Sequence, residues 1–260
     1  MRCDQSHTFD IARHGYASLT VGGGPHHHGD TAEMVAARGA YLGAAHYAPI
    51  ADAITRAAAG SPAHGWCVEL AGGTGYYAAR VLDSAPRLDG ITIDVSKHAA
   101  RAAARAHPRL ASVTGDVRAL LPIASGSVGL VLSVFGPRRG DEVARILSPG
   151  GRAVVVTPRP SHLIELRERF ALLTIGADKE VRLGEAMSPL VLTGSTELDY
   201  TVNLTREDIV NSIMMGPNAF HHDRAEIESR AASLPATLPT TVAVTISCFR
   251  SHPETTSYSD

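Results

Sequence analysis

The sequence predicts an α/β fold built on an open sheet of seven strands, mostly parallel, with an antiparallel strand at its C-terminal end. Two observations support this fold class. Five short apolar segments between residues 66 and 158 alternate with helix-like segments, which is the pattern of β-α-β units and a parallel sheet. Two later segments, 195–204 and 241–249, alternate polar and apolar residues with period two, as strands near a sheet edge do.

The individual elements are bounded by ordinary start and stop signals. Asp30 and Glu33 have the spacing of a capping box in front of the first helix, and Pro108 stops a later one. The predicted strands are 66–71, 90–95, 110–116, 127–135, 152–158, 195–204 and 241–249, and the predicted helices are 31–47, 76–85, 97–107, 141–147, 162–173 and 205–216.

The composition limits the class of protein. The chain has 260 residues, 44% hydrophobic and 19% charged, with a net charge of −2. It is long enough for one large domain, and its charge argues against a surface coated uniformly in positive charge. We find no apolar run long enough for a transmembrane helix and no signal peptide. The three cysteines are too few for a disulfide framework, so we expect a cytoplasmic protein without a membrane partner.

Two regions are predicted along the chain. Residues 1–29 are polar and end in the glycine- and histidine-rich stretch VGGGPHHHGD, which is typical of a flexible connector. Within this region Cys3 and His7 have the Cys-x-x-x-His spacing of half a zinc site. Residues 30–260 contain all of the predicted strands and form the α/β domain.

The most informative segment is VELAGGTGYYA at 68–78, which joins a strand to a helix. Glu69 ends the strand, and Gly73 and Gly75 follow at i+4 and i+6. Glycines allow the backbone to approach a ligand, and the helix N-terminus presents unbonded N–H groups. The spacing is that of the acidic-x-Gly-x-Gly-x-Gly pattern of S-adenosylmethionine (SAM) enzymes, with Ala71 replacing the first glycine. A dinucleotide site requires G-x-G-x-x-G, and because residue 78 is alanine this alternative is not fully removed.

Two further acids follow the next strands in the way that a SAM site requires. Asp94 ends the second strand, where a carboxylate accepts hydrogen bonds from the ribose hydroxyls. Asp116 ends the third strand, where it could accept from the adenine amino group. A dinucleotide enzyme also uses an acid after its second strand, so Asp94 alone does not discriminate. Each aspartate could instead serve as a helix cap or turn residue.

Several segments carry a specific resemblance. Five of them are similar to successive blocks of the ribosomal RNA guanine-N1 methyltransferases, the RlmA family: HTFDIARHGYASL, DTAEMVAARGAYLGAAHYAPI, VELAGGTGYYAARVL, IDVSKHAARAAARAHPR and VVVTPRPSHLIEL. Three more, VFGPRR, ADKEVRL and MGPNAFHHD, resemble the actinobacterial branch that confers resistance to tylosin-type macrolides. The similarity covers nearly the whole chain.

The resemblance implies a class I SAM-dependent methyltransferase with a Rossmann-like sheet. Family members methylate N1 of a guanine at a 745/748-type site, in a domain II hairpin of 23S rRNA near the exit tunnel where macrolides bind. The resemblance also implies that SAM is contacted by the residues at the matching positions, which are Tyr47, Tyr77, Ala78 and His162. Aromatic packing is the alternative role for the two tyrosines, and helix-surface exposure is the alternative for the histidine.

The resemblance extends to the N-terminal segment, with a departure. Family members begin with a small zinc domain whose ligands are Cys-x-x-Cys and then Cys-x-x-x-His, and it is implicated in RNA recognition. Cys3 and His7 match the second pair, whereas the first pair is absent. A structural zinc ion needs four ligands. Three explanations are open: translation starts upstream, the chain is truncated, or this branch has lost its zinc. We expect residues 1–29 to be a remnant of that domain that holds zinc poorly.

The sequence says less about the part of the site that would bind the target guanine and its RNA. Guanine N1 carries a proton that must leave, but no catalytic base is assigned, and His221 and His222 are more typical of an exposed loop. Phe135 or Phe220 could stack on a flipped base, with core packing as the alternative. The candidate RNA contacts are Arg138, Arg139 and Arg13, whereas Lys97, Arg101 and Arg105 form a stripe typical of a solvated helix face.

Three functions are therefore compared. The first is methylation of 23S rRNA, the second is methylation of a small molecule by the same fold, and the third is SAM binding without catalysis. The glycine loop does not distinguish among them, whereas the N-terminal segment and MGPNAFHH favour the first. The sequence leaves the oligomeric state open, including a homodimer.

Overall fold

The computed structural model describes residues 10–19, 29–62, 64–176 and 178–252 of the chain. The strands are β1 (Ala17–Ser18), β2 (Gly65–Leu70), β3 (Leu88–Asp94), β4 (Leu110–Thr114), β5 (Val128–Val134), β6 (Leu147–Pro158), β7 (Leu190–Thr205) and β8 (Thr237–Ser251). The helices are α1 (Ala32–Gly43), α2 (Ala48–Ala58), α3 (Tyr76–Ser84), α4 (Lys97–Ala103), α5 (Gly140–Ile146), α6 (Ile164–Phe170), α7 (Lys179–Ala186), α8 (Arg206–Met214) and α9 (Arg224–Ala232), with a 3₁₀ turn at Pro217–Phe220.

All eight strands lie in one sheet, in the order β1-β4-β3-β2-β5-β6-β8-β7. The pairs from β1 through β6 are parallel, and β8 runs antiparallel to both β6 and β7. This confirms the predicted sheet with its antiparallel C-terminal strand. The structure adds the two-residue strand β1, which comes from the N-terminal segment and pairs with the edge strand β4. No alternating pattern can form in two residues, so periodicity could not predict this strand.

Each face of the sheet is covered by its own hydrophobic cluster. The larger cluster joins one face to residues of α1, α2, α3, α6, α8 and α9. The smaller cluster joins the other face to residues of α5 and α7, together with Leu121. The strands of the parallel part are therefore buried on both sides, as their continuous apolar sequences predict. Among the described residues, no helix is both long and apolar enough to cross a membrane.

The period-two alternation of β7 is confirmed from Leu198 to Leu204. Leu198, Tyr200, Val202 and Leu204 face the larger cluster and the residues between them are exposed, whereas Thr196, predicted on the same face, is exposed too.

Strand β8 does not alternate between buried and exposed residues. Val242, Val244 and Ile246 belong to the larger cluster as predicted, but Ala243, Thr245 and Ser247 between them are also buried. The reason is that β8 lies between β6 and β7 rather than at the sheet edge. The predicted helix cap is also wrong, because Thr31 caps α1 by accepting from Met34 N–H at 3.3 Å.

Three helices were not predicted, namely α2, α7 and α9. The last two are short, largely polar helices that each bury only one or two side chains. Tertiary packing rather than local pattern stabilises such segments.

The contact between α5 and α7 depends on a missing side chain. A Cβ atom built at Gly140 would lie 2.1 Å from the carbonyl oxygen of Ala186 and 3.0 Å from the Cα atom of Met187. Both atoms belong to backbone, which cannot move aside as a flexible side chain can. Gly140 therefore sets how closely α7 approaches the sheet, and α7 carries Lys179 to the cavity described below.

We expect Gly140→Ala to destabilise the protein by about 1–3 kcal/mol, because the added methyl group forces two helices apart. The matched control is Gly184→Ala, in the exposed interior of α7, where an added Cβ meets no atom within 4 Å. This control should stabilise the chain by roughly 0.5–1 kcal/mol through helix propensity. Urea unfolding of both variants measures the difference. Equal free energies of unfolding would contradict the role assigned to Gly140.

Candidate active site

The carboxyl ends of the parallel strands open into a cavity of about 610 Å³. The residues at or just beyond the ends of β2, β3, β4, β5 and β6 line it, and segments around α1, α7 and the 3₁₀ turn close its sides. Ligands of open α/β sheets bind outside the carboxyl ends of the strands. The topology therefore places the functional site here.

Most of the residues that the sequence suggested for SAM meet at this cavity. Its lining includes Tyr47, Glu69, Gly73, Tyr77, Asp94, Asp116 and His162. Gly75 and Ala78 lie behind the lining. A Cβ atom at Gly75 would be 2.9 Å from a side-chain atom of Leu110, so this glycine allows α3 to approach its neighbours. The contacts of these nine residues with a cofactor remain a prediction.

Asp94 joins two loops at the centre of the site. Its Oδ2 atom accepts from the Gly73 N–H at 2.9 Å, and its Oδ1 atom accepts from the Ser96 N–H at 2.8 Å. A carboxylate has about four acceptor positions, so further positions are left for a ligand. Burial raises the pKa of Asp94, and the two backbone N–H donors oppose this effect. The carboxylate is thus held in a fixed orientation at the rim of β3.

Glu69 is the most deeply buried acid of the site, with 2% of its surface exposed. Its Oε2 atom accepts from the Ala78 N–H at 3.1 Å. Burial raises the pKa of Glu69 to about 8, and the nearby carboxylate of Asp94 adds to the increase. A buried carboxylate of this kind is stabilised when a cationic ligand group lies beside it.

The loop that follows β2 contains backbone strain at Ala71. This residue replaces the first glycine of the predicted pattern, and its φ angle of 52° lies in the left-handed region. Two other non-glycine residues of the cavity wall have positive φ angles, Phe135 at 57° and Leu163 at 52°. Each such residue costs of order 1–3 kcal/mol unless its surroundings hold it in place. A Cβ atom at Gly136 would lie 2.8 Å from that of Ala71, so glycine at 136 makes room for the alanine.

His162 and Tyr47 form a buried pair whose proton positions follow from the backbone. The Ala243 N–H donates to His162 Nδ1 at 3.2 Å, so this nitrogen is the acceptor of the neutral ring. His162 Nε2 therefore carries the hydrogen and donates to Tyr47 Oη at 3.0 Å. Burial lowers the pKa of His162 to about 4, with Arg167 and Lys179 adding to the effect. The imidazole is neutral at physiological pH with both nitrogens engaged, which excludes it as the base for the target.

The wall formed by residues that follow β5 along the chain, which we call the apolar end, is apolar and positively charged. Phe135, Leu173 and Phe220 belong to it, with 39%, 49% and 51% of their surfaces exposed. The Phe135 ring also contacts the rings of Tyr47 and His162, with centroid separations of 5.9 and 5.7 Å. Arg167 and Lys179 line the same end, and burial together with Arg138 lowers the pKa of Lys179. In the described part of the chain, neither cation has a carboxylate within the 4.0 Å of an ion pair.

The candidate RNA contacts of the sequence differ in their surroundings. Arg139 pairs with Asp141, which neutralises it. Arg138 donates to the Gly136 carbonyl oxygen at 3.0 Å, and its pKa is lowered by burial. Arg13 donates to His14 Nε2 at 3.1 Å. The charges of Arg101, Arg13 and Arg105 all help to lower the pKa of His14, along with desolvation, so this segment lies near the basic stripe of α4.

Sequence reasoning missed one ion pair of the site. Arg38 of α1 contacts Asp30 at 2.6 Å and donates to the Met215 carbonyl oxygen at 2.7 Å. A Cβ atom at Gly73 would lie 2.6 Å from Arg38 Nη1, so the guanidinium covers the glycine loop. Met215 is 177 residues away in sequence and Asp30 precedes the helix, so only the helical position of Arg38 could have suggested that it faces the sheet.

Other predicted residues lie away from the cavity or outside the described residues. His221 and His222 are absent from the cavity wall, although Phe220 beside them belongs to it. Cys3 and His7 fall outside the residues that the structure describes. Within residues 10–19, 29–62, 64–176 and 178–252, no group of three or more His, Cys, Asp or Glu side chains could hold a metal ion.

Comparison with curated proteins finds two relatives that match this chain over nearly its whole length. The chain is 40% identical, over 257 residues, to the 23S rRNA (guanine(748)-N(1))-methyltransferase of Streptomyces fradiae, covering 97% of this chain and 91% of the relative. A protein of Micromonospora griseorubida, provisionally described as a 23S rRNA (guanine-N(1)-)-methyltransferase, is 39% identical, with coverages of 96% and 90%. No family model matches the chain.

Solved structures establish the fold. A provisionally described methyltransferase from Bacillus halodurans superposes with a TM-score of 0.54 at 14% identity, covering 77% of this chain and 98% of that chain. The geranyl diphosphate C-methyltransferase of Streptomyces coelicolor, in a complex that contains S-adenosyl-L-homocysteine, gives a TM-score of 0.51 at 15% identity, with coverages of 78% and 76%. The fold is that of the class I SAM-dependent methyltransferases.

The raised pKa of Glu69 predicts a pH dependence of stability. The value rises from 4.5 to about 8 on folding, so the native state binds more protons than the unfolded state between these two values. The free energy of unfolding should therefore fall as pH rises from about 5 to 8. Glu69→Gln removes this titration and keeps an acceptor for the Ala78 N–H. We expect a flatter pH profile and a more stable ligand-free protein at pH 8.

Urea unfolding at several pH values, without added ligand, measures this difference. The control is Glu168→Gln, because Glu168 is an exposed residue of α6 away from the cavity wall. It should leave the pH profile unchanged. Parallel profiles for wild type and Glu69→Gln would show that Glu69 is charged throughout, against the assignment.

Proposed function

Because the chain belongs to the family of 23S rRNA (guanine-N1)-methyltransferases, we propose that it transfers a methyl group from SAM to N1 of a guanine in domain II of 23S rRNA, at a 748-type site. The observation that carries the proposal is the 40% sequence identity to the Streptomyces fradiae enzyme, which extends over 97% of this chain. The cavity supports it by bringing an acid-rich, glycine-lined end together with an apolar, cationic end.

The residues at the first end fit SAM by their chemistry. Asp94 has acceptor positions for the ribose hydroxyls, and Asp116 lies beyond β4, where the adenine amino group would be received. The buried Glu69 suits the ammonium group of the methionine moiety, because a cation there offsets the cost of burying the carboxylate. Tyr47 and His162, fixed by their mutual hydrogen bond, form the adjoining wall.

The chemistry requires positioning more than activation. SAM supplies a methyl group on a positively charged sulfur. The bond from guanine N1 to the methyl carbon forms as the bond from sulfur to that carbon breaks, and S-adenosylhomocysteine leaves as a neutral thioether. The N1 proton departs as well, and we assign it no receiving side chain. Holding N1 in line with the methyl group is the main contribution of the protein.

The second end of the cavity suits a base that has left its RNA hairpin. Phe135 and Phe220 offer exposed aromatic surfaces, on which an unpaired base can stack. Arg167 and Lys179 stand at the same end without carboxylate partners among the described residues, as phosphate contacts require. The net charge of −2 then does not prevent RNA binding, because positive charge is concentrated locally.

Two finer parts of the proposal follow from the family. Methylation of this hairpin would protect the ribosome against tylosin-type macrolides, and an enzyme that modifies ribosomal RNA would act in the cytoplasm.

The proposal treats zinc separately. Cys3 and His7 supply half of a tetrahedral site, so we expect purified protein of this sequence to contain less than one zinc ion per chain.

The alternative is a methyltransferase that acts on a small molecule. The same fold serves such substrates, as the geranyl diphosphate enzyme illustrates. Fold similarity alone would not distinguish the two functions. The specific observation that favours RNA is the open, cationic rim beside two exposed phenylalanines.

Asp94→Asn tests the cofactor site. The amide keeps one acceptor oxygen and loses the other, so it cannot receive Gly73 N–H, Ser96 N–H and a ribose together. We expect the SAM dissociation constant to rise at least about tenfold, the loss of one to two hydrogen bonds to charged groups. Isothermal calorimetry measures it, with Asp52→Asn on the exposed face of α2 as the control. Unchanged affinity in Asp94→Asn would remove Asp94 from the site.

The reaction itself is tested with a domain II hairpin transcript and labelled SAM. We expect one methyl group per transcript and a primer-extension stop at a single guanine, because N1 methylation blocks base pairing. The control transcript carries adenosine at that position and should give no stop. Methylation of a metabolite without any modification of the hairpin or of intact 23S rRNA would favour the small-molecule alternative.

A further inference from the structure

Asn218 presents an unused donor at the apolar end of the cavity. The Leu173 N–H donates to its Oδ1 atom at 3.0 Å. A backbone N–H cannot bond to an amide NH₂ group, so this contact fixes which way the side chain is turned. The Nδ2 atom then carries two hydrogens on the other side, and none of the described residues accepts a hydrogen bond from it.

The surroundings of this amide suit a planar aromatic ring. Asn218 lines the same cavity as Phe135, Leu173 and Phe220, all of which keep apolar surface exposed. It lies in the 3₁₀ turn Pro217–Phe220, whose start follows Met215, and the Met215 carbonyl is held by Arg38. The turn is thereby tied to α1 on one side and to residue 173 on the other. The amide is a fixed, uncharged polar group beside exposed apolar side chains.

We infer that the Asn218 amide donates a hydrogen bond to O6 of the target guanine and thereby selects guanine over adenine. The inference rests on the proposed function. Guanine has an acceptor at position 6, whereas adenine has an amino donor there. An amide whose oxygen is turned towards the Leu173 N–H presents its NH₂ group on the other side, so it matches guanine and leaves the adenine amino group facing another donor.

The same hydrogen bond also favours the reaction. When N1 loses its proton, part of the negative charge moves to O6 through the ring. A fixed donor at O6 is then worth more in the transition state than in the bound ground state. Its loss should therefore lower kcat as well as raise KM, which a residue that only shapes the rim would not do.

The decisive variant is Asn218→Asp. A carboxylate still accepts from the Leu173 N–H, so the local structure is retained, but the group facing the base becomes an acceptor. We expect kcat/KM for the guanosine hairpin to fall at least about tenfold, with the SAM dissociation constant unchanged. The ratio of guanosine to adenosine methylation should also fall at least tenfold, because the adenine amino group can donate to the new carboxylate.

A control variant separates this role from a general effect of added negative charge. His221→Asp places a carboxylate at an exposed residue that directly follows the same 3₁₀ turn but lies outside the cavity wall, and it should change kcat/KM by less than about threefold. If it loses as much activity as Asn218→Asp, repulsion of RNA explains the result and the inference fails. Asn218→Asp with wild-type activity on guanosine would overturn it equally, because its link to Leu173 is preserved.

A measurement on the wild-type protein does not depend on any variant folding. The hairpin is prepared with 6-thioguanosine at the target, since sulfur accepts hydrogen bonds weakly. We expect at least about a tenfold loss in kcat/KM relative to guanosine. Equal rates would overturn the inference while leaving the methyltransferase assignment intact. Absence of methylation on the unmodified guanosine hairpin would instead contradict the proposed function itself.

Discussion

The site depends on the two hydrogen bonds that backbone N–H groups donate to the Asp94 carboxylate. One comes from Gly73, in the loop after β2, and the other from Ser96, in the loop after β3. They hold two neighbouring loops in one geometry, and Ser96 Oγ extends the connection to the Asp30 carbonyl oxygen at 2.6 Å, in front of α1. Asp30 in turn pairs with Arg38 over the glycine loop. Strand ends, loops and the covering helix are therefore coupled through a single buried carboxylate.

The cavity also separates charge along its length. Glu69, Asp94 and Asp116 gather at the end formed by β2, β3 and β4, whereas Arg167 and Lys179 stand at the end beyond β6. In the proposed reaction, a cationic cosubstrate and a polyanionic substrate would meet there, each beside charge of the opposite sign. In the ligand-free protein, burial raises the pKa of Glu69 and lowers that of Lys179, because burying either charge costs free energy. A ligand group of opposite charge beside each residue would offset that cost.

The sequence predicted the parallel part of the fold and the meeting of its candidate cofactor residues at one edge of the sheet, because both depend on local patterns. Apolar strands followed by glycine or aspartate placed Glu69, Gly73 and Asp94 correctly at one rim. The pattern could not show that Gly75 and Ala78 lie behind the cavity wall. A residue that touches the cofactor and a residue that lets α3 pack closely would both be glycine or another small residue at this spacing. It missed Arg38 because the Met215 carbonyl that accepts from it is 177 residues away in sequence. The polar helix α7 was missed because packing against Gly140, rather than its own periodicity, positions it.

Backbone strain restricts the loops of the cavity wall. Ala71 and Phe135 hold left-handed φ angles directly after β2 and β5, and Leu163 holds one in front of α6, in the loop that follows β6. Such conformations persist only where their surroundings over-determine them, and the close contact of Ala71 with Gly136 is one such constraint. In the proposed function, these restricted loops would hold the cofactor and one face of the target base. The turn at Pro217–Phe220, tied down at Met215 and Leu173, would then supply the side chain that distinguishes one base from another.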